Sequence, residues 1–123
     1  MSESKDYLVH PVDKGTINIS EEVVAAIAAV AVSEVEGVFG LSSSFTTDLK
    51  ELLGKKNLSK GVKLNIEDEV VAVECFVVIS YGFEIPAVAA SIQENVVSAV
   101  ESMTGLTVST VNVNVVGIGT PKA

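Results

Sequence analysis

The chain of 123 residues contains no arginine, no tryptophan, one cysteine and one histidine, and each absence removes a class of chemistry. Without arginine there is no planar fork for bidentate contacts to phosphate or guanine. Eight lysines against sixteen acids leave a net charge of -8, which repels polyanions at long range. Nucleic acid is therefore not an expected partner. Cys75 and His10, each the single residue of its kind, cannot form an intrachain disulfide or a Cys/His metal cluster. Long apolar runs are missing too: the longest uncharged one, Val23 to Val32, is about half the length a membrane-crossing helix needs. The start MSESKDYLVH lacks the charged and then apolar regions of a secretory signal. The expected location is cytoplasmic, with any membrane association peripheral, at the inner face and through a partner.

What is present is aliphatic. Hydrophobic residues make up 48% of the chain, but only two tyrosines and four phenylalanines are aromatic. This length fits one domain with one core. Residues 1–14 are polar and read as a flexible N-terminal arm with a short edge strand at Tyr7 to Val9; residues 15–118 read as a single domain, and 119–123 as a short tail. GTINIS alternates as a strand. Ser20 followed by Glu21 and Glu22 predicts a helix start, because a hydroxyl caps free amides and the helix dipole favours early carboxylates. Apolar positions at Val24, Ile27, Ala28, Ala31 and Val35 carry that helix towards a stop at Gly37.

Gly40 to Thr47 reads as a loop and Thr47 to Leu53 as a short extra helix stopped by Gly54. VKLNIE and VVAVECFVVISY, joined by Glu67, Asp68 and Glu69, form a predicted hairpin. On the return strand Val71, Val73, Cys75, Val77, Ile79 and Tyr81 share one face. Pro86 opens a second long helix whose inner face is Val88, Ile92, Val96, Ala99, Val100 and Met103; Gly105 ends it. A last strand spans Ser109 to Val116. The order β-α-β-β-α-β predicts an α+β two-layer sandwich of the ferredoxin-like, split βαβ kind, with a mostly antiparallel sheet and two long helices on one face.

No catalytic, cofactor-binding or metal site emerges from these residues. Cys75 lies between Val73 and Val77 and reads as a buried, inert thiol. Glu74 faces the other side and reads as a solvated strand residue. Gly117-Ile118-Gly119 has no following helix to aim at a pyrophosphate, so it is not a dinucleotide fingerprint. The open sheet face, with one phenylalanine beside a glutamate, is a poor platform for stacking RNA bases. Its apolar part, Phe76, Val78 and Val116, suits another protein surface, or else a cover formed by the N-terminal arm. Between Lys50 and Lys63 lie five lysines and one glutamate, a local balance of +4 against -12 for the other 109 residues. Lys55, Lys56 and Lys60 in this stretch suit an anionic partner, including an acidic second copy of the chain.

The segments GTINISEEVVAAIAAVAVSEVEGV, LLGKKNLSKGVKL, VVISYGFEIPAVAASIQENVVSAVESMTGL and VNVNVVGI together resemble the alkaline-shock-protein family of small cytoplasmic proteins from Gram-positive bacteria. The resemblance runs from about Gly15 to Ile118. It is carried by Lys60-Gly61-Val62, Tyr81-Gly82 with Ile85-Pro86, and Met103-Thr104-Gly105-Leu106. It implies a non-enzymatic, self-associating protein of alkaline or cell-envelope stress, in some members held at the membrane by a small membrane-anchored partner. Another branch implies the alternative of a regulatory binding module for fatty-acid synthesis, acting on acetyl-CoA carboxylase.

Overall fold

The computed structural model describes residues 7–42 and 61–120. A hairpin comes first: β1 (Tyr7–Val12) pairs antiparallel with β2 (Gly15–Ser20). Helix α1 (Glu21–Ser33) starts where Ser20 in extended conformation accepts a hydrogen bond from the Val23 amide at 3.2 Å. Replacing Ser20 with alanine is expected to cost about 1 kcal/mol, read as a lowered midpoint in thermal or denaturant unfolding. After α1 come β3 (Val38–Leu41), β4 (Val62–Glu67), β5 (Val70–Ser80), helix α2 (Ile85–Thr104) and β6 (Thr107–Gly119).

Strand β5 organises the main sheet. On one edge it pairs antiparallel with both β4, along Val70 to Cys75, and β3, along Val77 to Ile79, so these two partners lie end to end. On its other edge it pairs along its whole length with β6, and that ladder is parallel. Two of the three pairings in this sheet, β3–β5 and β4–β5, are antiparallel, as is the separate β1–β2 hairpin. The parallel ladder follows from connectivity, since α2 carries the chain back along the sheet between β5 and β6.

Both helices cover one face. Val24, Ala28 and Val32 of α1, the stripe Val88, Ile92, Val96 and Val100 of α2, and Val71, Val73, Cys75, Val77 and Ile79 of β5 are buried together. Each fully buried aliphatic side chain contributes on the order of 2 kcal/mol. The helices are tied by the Asn95 amide, which donates to the Ala31 carbonyl at 2.7 Å. α2 has proline in its first turn and ends on Gly105 in the left-handed region, φ 79°.

The two-layer α+β arrangement is the expected one. One strand, β3, is added to those expected, and β2 pairs with β1 instead of entering the main sheet. β3 lies where the sequence reads as a helix end followed by a loop. Helix α1 stops at Ser33, capped by Glu34, and Gly37 lies in the connection beyond it. Tyr81 and Met103 are not core residues: they are 73% and 69% exposed. Strand β5 ends at Ser80, which frees Tyr81 from the alternation. On α2 the slot after Val100 is filled by Thr104, whose hydroxyl donates to the Val100 carbonyl at 2.6 Å. The strand expected at Tyr7 to Val9 extends to Val12, and β6 is longer than Ser109 to Val116. The short helix expected at Thr47 to Leu53 lies outside the described residues.

Candidate functional site

The sheet face opposite the helices carries the side chains of β5 that alternate with the core: Ala72, Glu74, Phe76, Val78 and Ser80. Parallel pairing sets Asn112 beside Glu74 and Asn114 beside Phe76, and antiparallel pairing sets Lys63 beside Glu74. The face divides into two halves along β5. One half is polar. There the Asn114 side-chain amide donates to Glu74 Oε2 at 3.1 Å and to the Cys75 carbonyl at 3.3 Å, while Lys63 Nζ stands 5.8 Å from the centre of the Phe76 ring.

The other half is apolar and built on glycine. The β5–β6 register slips between Val77 and Val78, so Val116 has no partner opposite and stands 46% exposed. Val78 then packs over Gly117, where an added Cβ would sit 3.7 Å from its methyl group. A second irregularity, in β3, leaves Phe39 unpaired between Val38 and Gly40. Its ring reaches across to Gly119, where an added Cβ would overlap the ring atoms, and it remains 58% exposed. The Gly-Ile-Gly sequence near the chain end is thus a landing for Val78 and Phe39.

Of the residues singled out from sequence, Phe76, Val78 and Val116 fall together on this face. Lys55, Lys56 and Lys60 lie outside the described residues, but the two ends of their segment are fixed. The Ser42 amide donates to the Phe76 carbonyl and the Phe76 amide donates to the Gly61 carbonyl, both at 2.9 Å. Ser42 and Gly61, which flank that segment, are therefore both bonded to one residue of the open face. Gly61 has φ 87°, and a Cβ there would meet Leu41 and the Ser42 backbone at 3.0 Å, so the ends are packed side by side. Phe39 escaped the sequence reading. Its signal was an aromatic residue beside a glycine, in a segment too short to show alternation.

Cys75 is fully buried on the core side, with its thiol donating to the Asn112 carbonyl at 3.7 Å. Burial, with a smaller contribution from the Glu74 charge, pushes the thiol up to about 11, so it is neutral at physiological pH and not poised as a nucleophile. Glu74 is half-buried and held by Asn114 rather than freely solvated. At the helix layer a cleft of about 540 Å³, lined by Glu34, Glu36, Glu94, Phe83 and Val88, contains none of the residues singled out. Among the described residues no group of three or more His, Cys, Asp or Glu side chains is placed to hold a metal ion. No described helix is long and apolar enough to cross a membrane.

Comparison with known proteins agrees with the resemblance seen in the sequence. Residues 10–120 match the family of alkaline shock protein 23, described by a cell envelope-related function. The chain is 39% identical over 104 residues to the uncharacterized protein YqhY of Bacillus subtilis, covering 85% of this chain and 77% of that one. It is 32% identical over 110 residues to a stress response regulator gls24 homolog of Streptococcus pyogenes, covering 89% of this chain and 62% of that one. A solved MamM CTD chain superposes with a TM-score of 0.48 at 14% identity, covering 78% of this chain and 95% of that one. With a family match over residues 10–120 and a relative 39% identical over most of both chains, the chain belongs to the alkaline shock protein 23 family, whose function is related to the cell envelope.

Proposed function

We propose that this protein acts without enzymatic chemistry, as a self-associating stress or envelope-homeostasis factor that works through contacts with other protein surfaces. The observation carrying this reading is the apolar half of the open face, where Val78 packs on Gly117 and Phe39 on Gly119, with Val116 exposed beside them. Phe39 and Val116 are large apolar side chains left about half exposed, a pattern that marks contact surfaces. The occupant we assign is a second copy of the chain. The stretch from Lys50 to Lys63 carries +4 and the other 109 residues carry -12, so each copy has parts of opposite charge to offer the other.

Light scattering across a concentration series tests the reading. The unaltered chain is expected to grow in mass with concentration. Phe39→Ser with Val116→Ser is expected to weaken association about tenfold while leaving the melting temperature nearly unchanged, because both side chains are exposed. Glutamine at Lys55, Lys56 and Lys60 is expected to weaken it less, and mainly at low salt. A chain that stays monomeric at every concentration overturns the reading.

A further inference from the structure

We infer that two copies join by β-strand addition, β6 against β6 across a two-fold axis, so that the two sheets become one. This rests on the self-association proposed above and assigns it a contact of its own, on the edge of the main sheet opposite β3 and β4.

Strand β6 is the outer strand of the main sheet on the side of β5 away from β3 and β4, and no described strand pairs with its free edge. It runs for 13 residues, TVSTVNVNVVGIG, with no charged residue and no proline. Soluble proteins usually blunt such an edge with charge, proline or bulges, because its unpaired amides and carbonyls are a template for another strand. Here the slips in register lie near the ends, at Ser109 and Val116, and leave Thr110 to Val115 regular. On a chain of net charge -8, an uncharged edge is where two copies approach with least repulsion.

The free edge is guarded near its start by α2. Glu101 accepts from the Val108 amide at 2.9 Å, and the Gln93 side chain donates to the Val111 carbonyl at 3.0 Å. Since Val111 turns its carbonyl outward and the backbone alternates, Val113 and Val115 turn their amides and carbonyls outward too. None of the side-chain bonds from α2 reaches these two.

The pattern of this stretch is self-complementary. Antiparallel pairing of two identical strands about Val113 sets Val111 opposite Val115 and Asn112 opposite Asn114. Residues of like parity meet, so the valines of both core faces join and the asparagines of both open faces join. A foreign strand would have to reproduce that alternation; a second copy has it already. Val116, at the border between patch and edge, comes opposite Thr110 of the other copy and is covered in the same contact. A two-fold contact of this kind closes on itself as a dimer.

Amide hydrogen exchange with analytical ultracentrifugation on the full chain tests the inference. Exchange at Val113 and Val115 is expected to slow as concentration rises, in step with dimer formation. Val113→Pro removes an outward amide that β5 does not use, and each dimer carries the change twice; it is expected to weaken association about tenfold. Gln93→Ala frees the Val111 carbonyl and is expected to strengthen association about fivefold, which no loss of folding can imitate. Self-association with fast exchange at Val113 and Val115 and no response to Gln93→Ala overturns the strand pairing while leaving the proposed function intact. Failure to associate at all overturns both.

Discussion

Replacing Gly37 with alanine is expected to remove about 3 kcal/mol of stability, although only one methyl group is added and the site is a connection, not a core position. Two causes add. Gly37 has φ 101°, in a region where a side chain is strained by about 1–2 kcal/mol. The added Cβ would also stand 2.8 Å from Val88 Cγ2 and 2.9 Å from Phe83 Cδ2, an overpacking that costs typically 1–3 kcal/mol. The chain cannot move away easily, because the Gly37 carbonyl accepts the Ser80 amide at 2.8 Å and so fixes the α1–β3 connection to the end of β5. Denaturant unfolding measures the loss, and a double-mutant cycle separates its parts. In a Val88→Ala background the steric share should fall by about 1 kcal/mol, while the backbone share persists. If Gly37→Ala costs under 0.5 kcal/mol in either background, taken as about the scale of neutral surface changes, the packing described here is wrong.

Gly37 also shows what kind of information the sequence carried. Its role as a helix stop was legible, but helix α1 ends a turn earlier, and the glycine is required by its contact with α2 and the segment before it. Those partners are 46 and more residues away in the chain, at Phe83 and Val88, and no local pattern encodes them. By contrast α2 was readable nearly to the residue, because Pro86 and Gly105 act within their own turns. Strand β3 was missed for the complementary reason. VFGL has four residues, one a glycine and one an unpaired aromatic, and becomes a strand only by pairing with Val77 to Ile79. The same long-range pairing hid Phe39, so only the β5 and β6 part of the apolar patch was anticipated. Where a side chain's face followed from strict alternation, as along Val71 to Ile79, sequence and structure agree. Where alternation breaks, at Tyr81 and in the Val116 bulge, only the structure supplies the reason.

Cys75 gives the second large effect, and here pH is the variable. Its thiol titrates near 9.0 when unfolded and is pushed up to about 11 in the folded chain, first by burial and second by the neighbouring Glu74 charge. The folded state thus favours the neutral thiol. Below pH 9 both states hold the proton and the contribution to stability is fully present. Between pH 9 and 11 the unfolded chain gives up its proton while the folded chain keeps it, so stability falls as pH rises and levels off above 11. A difference of two pH units is worth about 3 kcal/mol. The measurement that isolates the thiol is the difference between the unaltered chain and Cys75→Ala in denaturant unfolding at pH 8, 9, 10 and 11. The alanine chain begins less stable by about 1–2 kcal/mol, through the space left among Val73, Val77 and their neighbours. That deficit should shrink above pH 9 and reverse near pH 11. A difference that stays constant over the whole range would mean that the thiol ionises as freely in the folded chain as in the unfolded one, which a position fully buried between the helices and the sheet does not permit.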